Sequence, residues 1–154
     1  MIEVIRIGLC TVCFYFAYSG YAANDASSTA LWLVLASCGA LSLVTALETY
    51  FSGGATNKLG WANSPYRFQS ANNNLATGIV GLGGLIIGLN PQSLVPVAAV
   101  SILFFTINGI NHAMSARDPS LSPRQKFVNL FQRFAVAIFL FAASIPLFVR
   151  LLMH

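Results

Sequence analysis

Five long apolar runs, parted by short polar connections, leave this chain essentially one kind of architecture. They cover about residues 2–21, 29–51, 65–89, 93–115 and 123–152, each long enough to cross a hydrocarbon layer as a helix. Lipid cannot satisfy backbone N–H and C=O groups, so a spanning segment of this length must be helical. The expected fold is therefore all-α: a polytopic transmembrane bundle of five spans, forming a single integral membrane domain over residues 1–154. With 56% hydrophobic and only 8% charged residues, and a mean hydropathy of +0.72, an ordinary soluble domain is excluded. The first run also imitates a signal peptide, with Arg6, an apolar core and Tyr21-Ala22-Ala23. It is taken here as a true span.

Helix ends are written into the connections. Ser27 or Ser28 is expected to cap the second helix, Ser64 the third, and Ser122-Pro123-Arg124-Gln125 reads as a capping box with proline at the first helical position. Ser52-Gly53-Gly54 and Asn90-Pro91 read as stops. Pro96 fits a first turn, and Pro146 is expected to kink the last helix.

The stretch Leu59 to Leu89 is expected to be the packed centre of the bundle. Trp61 and Tyr66 suit the headgroup level. Asn72, Asn73 and Asn74 follow, costly in lipid unless protein or water satisfies them. Then come Gly78, Gly81, Gly83, Gly84 and Gly88, of which Gly84 and Gly88 are spaced as a small-xxx-small motif for close helix approach.

The basic residues set the expected orientation. Arg6, Lys58, Arg67, Arg117, Arg124 and Lys126 share one side, against Arg150 and His154 on the other. The positive-inside rule then places the N-terminus in the cytoplasm and the C-terminus outside. The net charge of +4 reflects few acids rather than many bases, so the bases mark topology and not a nucleic-acid surface.

This orientation brings scattered polar residues to one depth. Glu48 on the second helix, Asn73 and Asn74 on the third, and Asn108, Asn111 and His112 on the fourth fall near the cytoplasmic ends, with Gln132 and Arg133 on the fifth. Spacing of i, i+3, i+4 puts Asn108, Asn111 and His112 on one helix face. The candidate binding site is thus an inner-leaflet pocket of Glu48, Asn73, Asn74, Asn108, Asn111, His112 and Arg133, in which Glu48 and His112 share an asparagine neighbour. Interhelical hydrogen bonding alone would also account for the asparagines. Cys10, Cys13 and Cys38 admit a copper or redox site, but thiols buried in apolar surroundings are inert and pack as small hydrophobes. No catalytic residue, metal ligand or cofactor is assigned, and no phosphate-binding, zinc-protease or nucleophile-elbow motif occurs.

The segment GWANSPY…NNLATGIVGL, with Glu48 before it and Asn108-Gly109-Ile110-Asn111-His112 after it, resembles a family of small bacterial multispan proteins with a GWxxSPF-like motif, and more loosely the DoxX-type membrane proteins. Gly60, Trp61, Ser64, Pro65, Leu75 and His112 fit the pattern, and Tyr66 stands for its phenylalanine. Arg67 and Gln69 depart from its glutamine and acid. The resemblance implies a bacterial inner-membrane location and supplies no activity.

The function expected from these features is non-catalytic: binding of a lipid-like or quinone-like amphiphile, or of a partner subunit or second copy, within the bilayer. A redox or metal-handling accessory using His112 with Glu48, or the three cysteines, is the alternative, as is a small oligomeric transporter.

Overall fold

A computed structural model describes residues 2–52 and 65–153, with side chains described for 4–51 and 68–153. Trp61, Gly60, Lys58, the cap at Ser64 and the side chains of Tyr66 and Arg67 lie outside the described residues. Helix α1 is Ile2–Ala22. Helix α2 comprises Ala26–Val34, a π-helical stretch Leu35–Leu43, and Val44–Ser52. Helix α3 is Pro65–Ile86. A 3-10 turn, Pro91–Leu94, leads into α4, Val95–Ser115. Helix α5 comprises Pro123–Phe127, a second π-helical stretch Val128–Ala135, and Val136–Leu152. The fold is all-helical, and α1, α2, α4 and α5 are each long and apolar enough to cross a membrane.

The helix ends follow local chemistry, with two differences from expectation. The capping box at Ser122 forms: its hydroxyl accepts from the Gln125 N–H while the Gln125 side chain accepts from the Ser122 N–H. Helix α2 is capped by Asp25 rather than by Ser27 or Ser28, the carboxylate accepting from the Ser28 N–H at 2.9 Å. Helix α3 stops before Asn90-Pro91. Gly88 adopts φ +84°, its N–H donates to the Leu85 carbonyl, and the Leu89 N–H reaches back to Gly84. This is a glycine C-cap of Schellman type, which removes Gly88 from any helix-packing motif. Asn90 then caps the 3-10 turn by accepting from the Gln92 N–H, with Pro91 at its first position.

The bundle is built around α2 and not α3. Helix α2 meets all four other helices and has the largest buried share of the four spans. Its small residues explain this: Ala30, Ala36, Ala40, Ala46, Ser37, Ser42 and Cys38 are all buried. Without bulky side chains, neighbours approach it closely on every side. Helix α3 lies chiefly along α2, leaving Ile79, Val80 and Ile86 exposed. A Cβ on Gly81 would stand 2.4 Å from Cys38 Sγ, so the glycine is what lets α3 seat there. Gly109 does the same for α4 on α5, where a Cβ would stand 2.7 Å from that of Ala137. The main apolar core gathers Leu33, Val34, Leu94, Ala98, Ile102 and Leu147 with Cys13 and Cys38. Cys10 belongs to a smaller cluster with Ala40 and Leu41.

A polar contact crosses this core where α2 is π-helical. The Ser101 hydroxyl on α4 donates to the Ser37 carbonyl at 2.9 Å and lies 2.7 Å from the Ser42 hydroxyl.

Candidate functional site: a buried polar layer

Successive helices run in opposite directions, so the start of α1, the end of α2, the first half of α3, the end of α4 and the start of α5 share one end of the bundle. Each helix places a buried polar side chain there: Arg6, Glu48, Asn74, His112 and Asn129, none more than 9% exposed. A buried charge is costly unless paired, and a buried polar group unless hydrogen-bonded, and the layer shows one contact of each kind.

The first is an ion pair between α1 and α2. Arg6 Nη1 lies 3.4 Å from Glu48 Oε2 and donates to Thr45 Oγ1 at 2.9 Å. Thr45 and Glu48 are i, i+3 on α2 and therefore face α1 together. The second joins α4 to α5. Asn129 Nδ2 donates to the Gln125 carbonyl at 2.9 Å, one turn back along its own helix. That fixes the amide's orientation and turns Oδ1 toward His112 Nδ1, 2.8 Å away. An amide oxygen only accepts, so Nδ1 carries the ring proton, and Nε2 of the neutral ring is the acceptor.

The residues singled out from sequence are distributed as follows. Glu48, Asn74 and His112 are buried in the layer; Asn108 and Arg133 are half-buried beside it; Asn73 and Asn111 are exposed. An α-helix cannot turn three adjacent side chains the same way, and of the asparagine triplet Asn74 alone faces inward. Asn72 instead accepts a hydrogen bond from the Tyr50 hydroxyl. Glu48 meets Arg6, and His112 meets Asn129, where a shared Asn73 or Asn74 neighbour was expected.

Two members, Arg6 and Asn129, are not among the candidate site residues read from sequence. Their signal was present. Arg6 is the one basic residue of an apolar run, and Asn129 lies one turn from Gln125 on the face of a capped helix. The three cysteines are buried and free of disulfides. Among the described residues, no three of His, Cys, Asp and Glu converge as a metal-binding group.

Residues 4–150 match the family of unknown function DUF6790, and the chain belongs to that family. The match carries no link to DoxX-type proteins. No curated protein and no solved structure matches the chain.

Proposed function

We propose that this chain is a non-catalytic integral protein of a bacterial inner membrane that binds a small amphiphile at its buried polar layer. The observation behind this reading is the convergence of Arg6, Glu48, Asn74, His112 and Asn129, one from each helix, at one end of an otherwise apolar bundle. Packing alone gains little from such groups, since interhelical hydrogen bonds in membranes average about 0.6 kcal/mol. Intramembrane ionisable residues that face a bundle interior are, by their cost, functional candidates. The base distribution supports an orientation with the N-terminus inside, the C-terminus outside and this layer under the cytoplasmic leaflet.

Lipid extraction of the protein purified in mild detergent tests the binding reading. The wild type should retain one amphiphile in near-stoichiometric amount, and Asn74→Leu should lose it. Retention of the same unselective lipid mixture by both would overturn the reading. Impermeant thiol labelling tests orientation: Asp25→Cys and Gln92→Cys should react from outside intact cells, and Asp118→Cys only after lysis. The reverse pattern would place the layer under the other leaflet.

A further inference from the structure

Helix α5 is longer than the layer it crosses. Pro123–Leu152 is 30 residues, or about 45 Å, against a hydrocarbon thickness of about 30 Å. The excess belongs to its first turns, since Arg124 and Lys126 stand there and would be costly among lipid tails. With Arg117 in the preceding turn, three bases gather at headgroup depth, Arg117 and Arg124 exposed and Lys126 half-buried. Asp118 is the one acid beside them, and its carboxylate already accepts from the Ser120 hydroxyl and N–H at 2.7 and 2.8 Å. Among the described residues, none of the three bases lies within ion-pair distance of an acid. One turn further along α5, the Phe127 and Phe131 rings stack at 4.9 Å, and both residues are more than half exposed. Arg124, Phe127 and Phe131 follow at i, i+3 and i+7, so the base and both rings share the outward face of α5, away from buried Val128 and Asn129.

We propose that this face docks an anionic phospholipid of the phosphatidylglycerol type, in the leaflet at the polar-layer end. Its phosphate meets Arg117, Arg124 and Lys126, and the first part of an acyl chain lies along Phe127 and Phe131. The surface is separate from the buried layer, and neither reading depends on the other. Charge complementarity selects the occupant. Three bases against one acid leave two positive charges in excess at the interface. The phosphodiester of phosphatidylglycerol brings an unbalanced negative charge, whereas phosphatidylcholine carries its own cation. Each base near an anionic surface strengthens the attraction about fivefold. Guanidinium–phosphate bonds are also charge-assisted and frequently bidentate. The exposed rings select a lipid over free phosphate, because an ion in water gains nothing from apolar surface beside it.

The test is photolabelling of the full chain in phosphatidylcholine nanodiscs that carry a trace of diazirine-bearing lipid. One probe is phosphatidylglycerol and the other phosphatidylcholine, each with the diazirine at the start of one acyl chain. The phosphatidylglycerol probe should label Phe127, Phe131 and the turn before them about tenfold more than the phosphatidylcholine probe, and about 0.5 M salt should shrink that preference. Arg117→Gln with Arg124→Gln, at two exposed positions, leaves Lys126 against Asp118 and should bring the probes near parity. Arg150→Gln removes a base at the opposite end and should leave the preference unchanged. Equal labelling of the wild type by both probes, or an unaffected double variant, would overturn the proposal. An equal loss in Arg150→Gln would overturn it too, by reducing the preference to net charge. Suppression of the label by millimolar glycerol phosphate would make the bases a free-phosphate site, which also overturns it. Amphiphile retention and its loss in Asn74→Leu report on a different part of the chain, so either experiment can fail without the other.

Discussion

Arg6 and Glu48, 42 residues apart in sequence, meet at 3.4 Å across the α1–α2 contact with Thr45 as a third partner. A pair buried this deeply is more informative when broken than when counted. Removing one partner strands the other charge, at a cost of about 3–5 kcal/mol, whereas replacing both with apolar residues is often neutral. Arg6→Met and Glu48→Leu should each destabilise strongly, and the double variant should recover most of the loss. Denaturant or thermal unfolding in detergent measures this. Additive single effects would mean that the two side chains do not depend on each other.

The fit of α3 on α2 makes a second prediction, with an internal control. Gly81→Ala puts a methyl 2.4–2.5 Å from Cys38 Sγ and Cβ, whereas the space around Gly83 is open. Overpacking of about 1–3 kcal/mol should outweigh the gain in helix propensity, about 1 kcal/mol, at Gly81. At Gly83 the propensity gain stands alone. Gly81→Ala should therefore lower the unfolding temperature, Gly83→Ala should hold or raise it, and Cys38→Ala should partly rescue the first. A neutral Gly81→Ala would show that α3 is free to move away from α2.

The His112–Asn129 bond predicts a specific tautomer. With Nδ1 holding the proton, 15N NMR should show Nδ1 as the protonated nitrogen and Nε2 as the bare one. Asn129→Leu removes the acceptor and should cost about 1–3 kcal/mol, the usual penalty for leaving a buried polar group unsatisfied. The opposite tautomer in the wild type would contradict the amide orientation fixed by Gln125.

Much of this arrangement is legible in the sequence, and the rest is not for identifiable reasons. The five helices follow from run length alone, and the Ser122 cap from four consecutive residues. Pairings such as Arg6 with Glu48 are long-range and have no local signature. The π-helical stretches of α2 and α5 leave no mark on composition. Gly88 shows how spacing misleads. Counted with Gly84 it suggests a packing motif, yet Asn90 and Pro91 just beyond mark it as a glycine that ends a helix. Asn73 and Asn111 share the layer's depth, and depth does not specify which way a side chain turns.

Outside the spans, the turn between α4 and α5 predicts a pH response. The Ser120 hydroxyl and backbone N–H both donate to Asp118 and hold its carboxyl below the usual aspartate value. A lowered folded-state pKa means that the turn is supported above the unfolded value, near 3.9, and loses that support as pH falls through the folded one. A 13C carboxyl titration should place Asp118 below ordinary aspartate, and Ser120→Ala should raise it. No change in Ser120→Ala would exclude the hydroxyl's hydrogen bond as a cause.

The π-helical stretch of α2 also decides which changes of length the chain tolerates. Each residue of an α-helix advances the side-chain direction by about 100°, and a π-helical turn takes more residues to come round. Deleting one residue between Leu35 and Leu43 would relax the stretch toward an ordinary helix, whose tighter winding makes up for most of the residue lost, and Glu48 would keep its side toward Arg6. A deletion in the ordinary turns of Ala26–Val34 has no such compensation and would swing Glu48 by about 100° relative to the start of α2. Relatives that keep the pair are therefore free to differ by one residue in the π-helical segment and not in the turns before it.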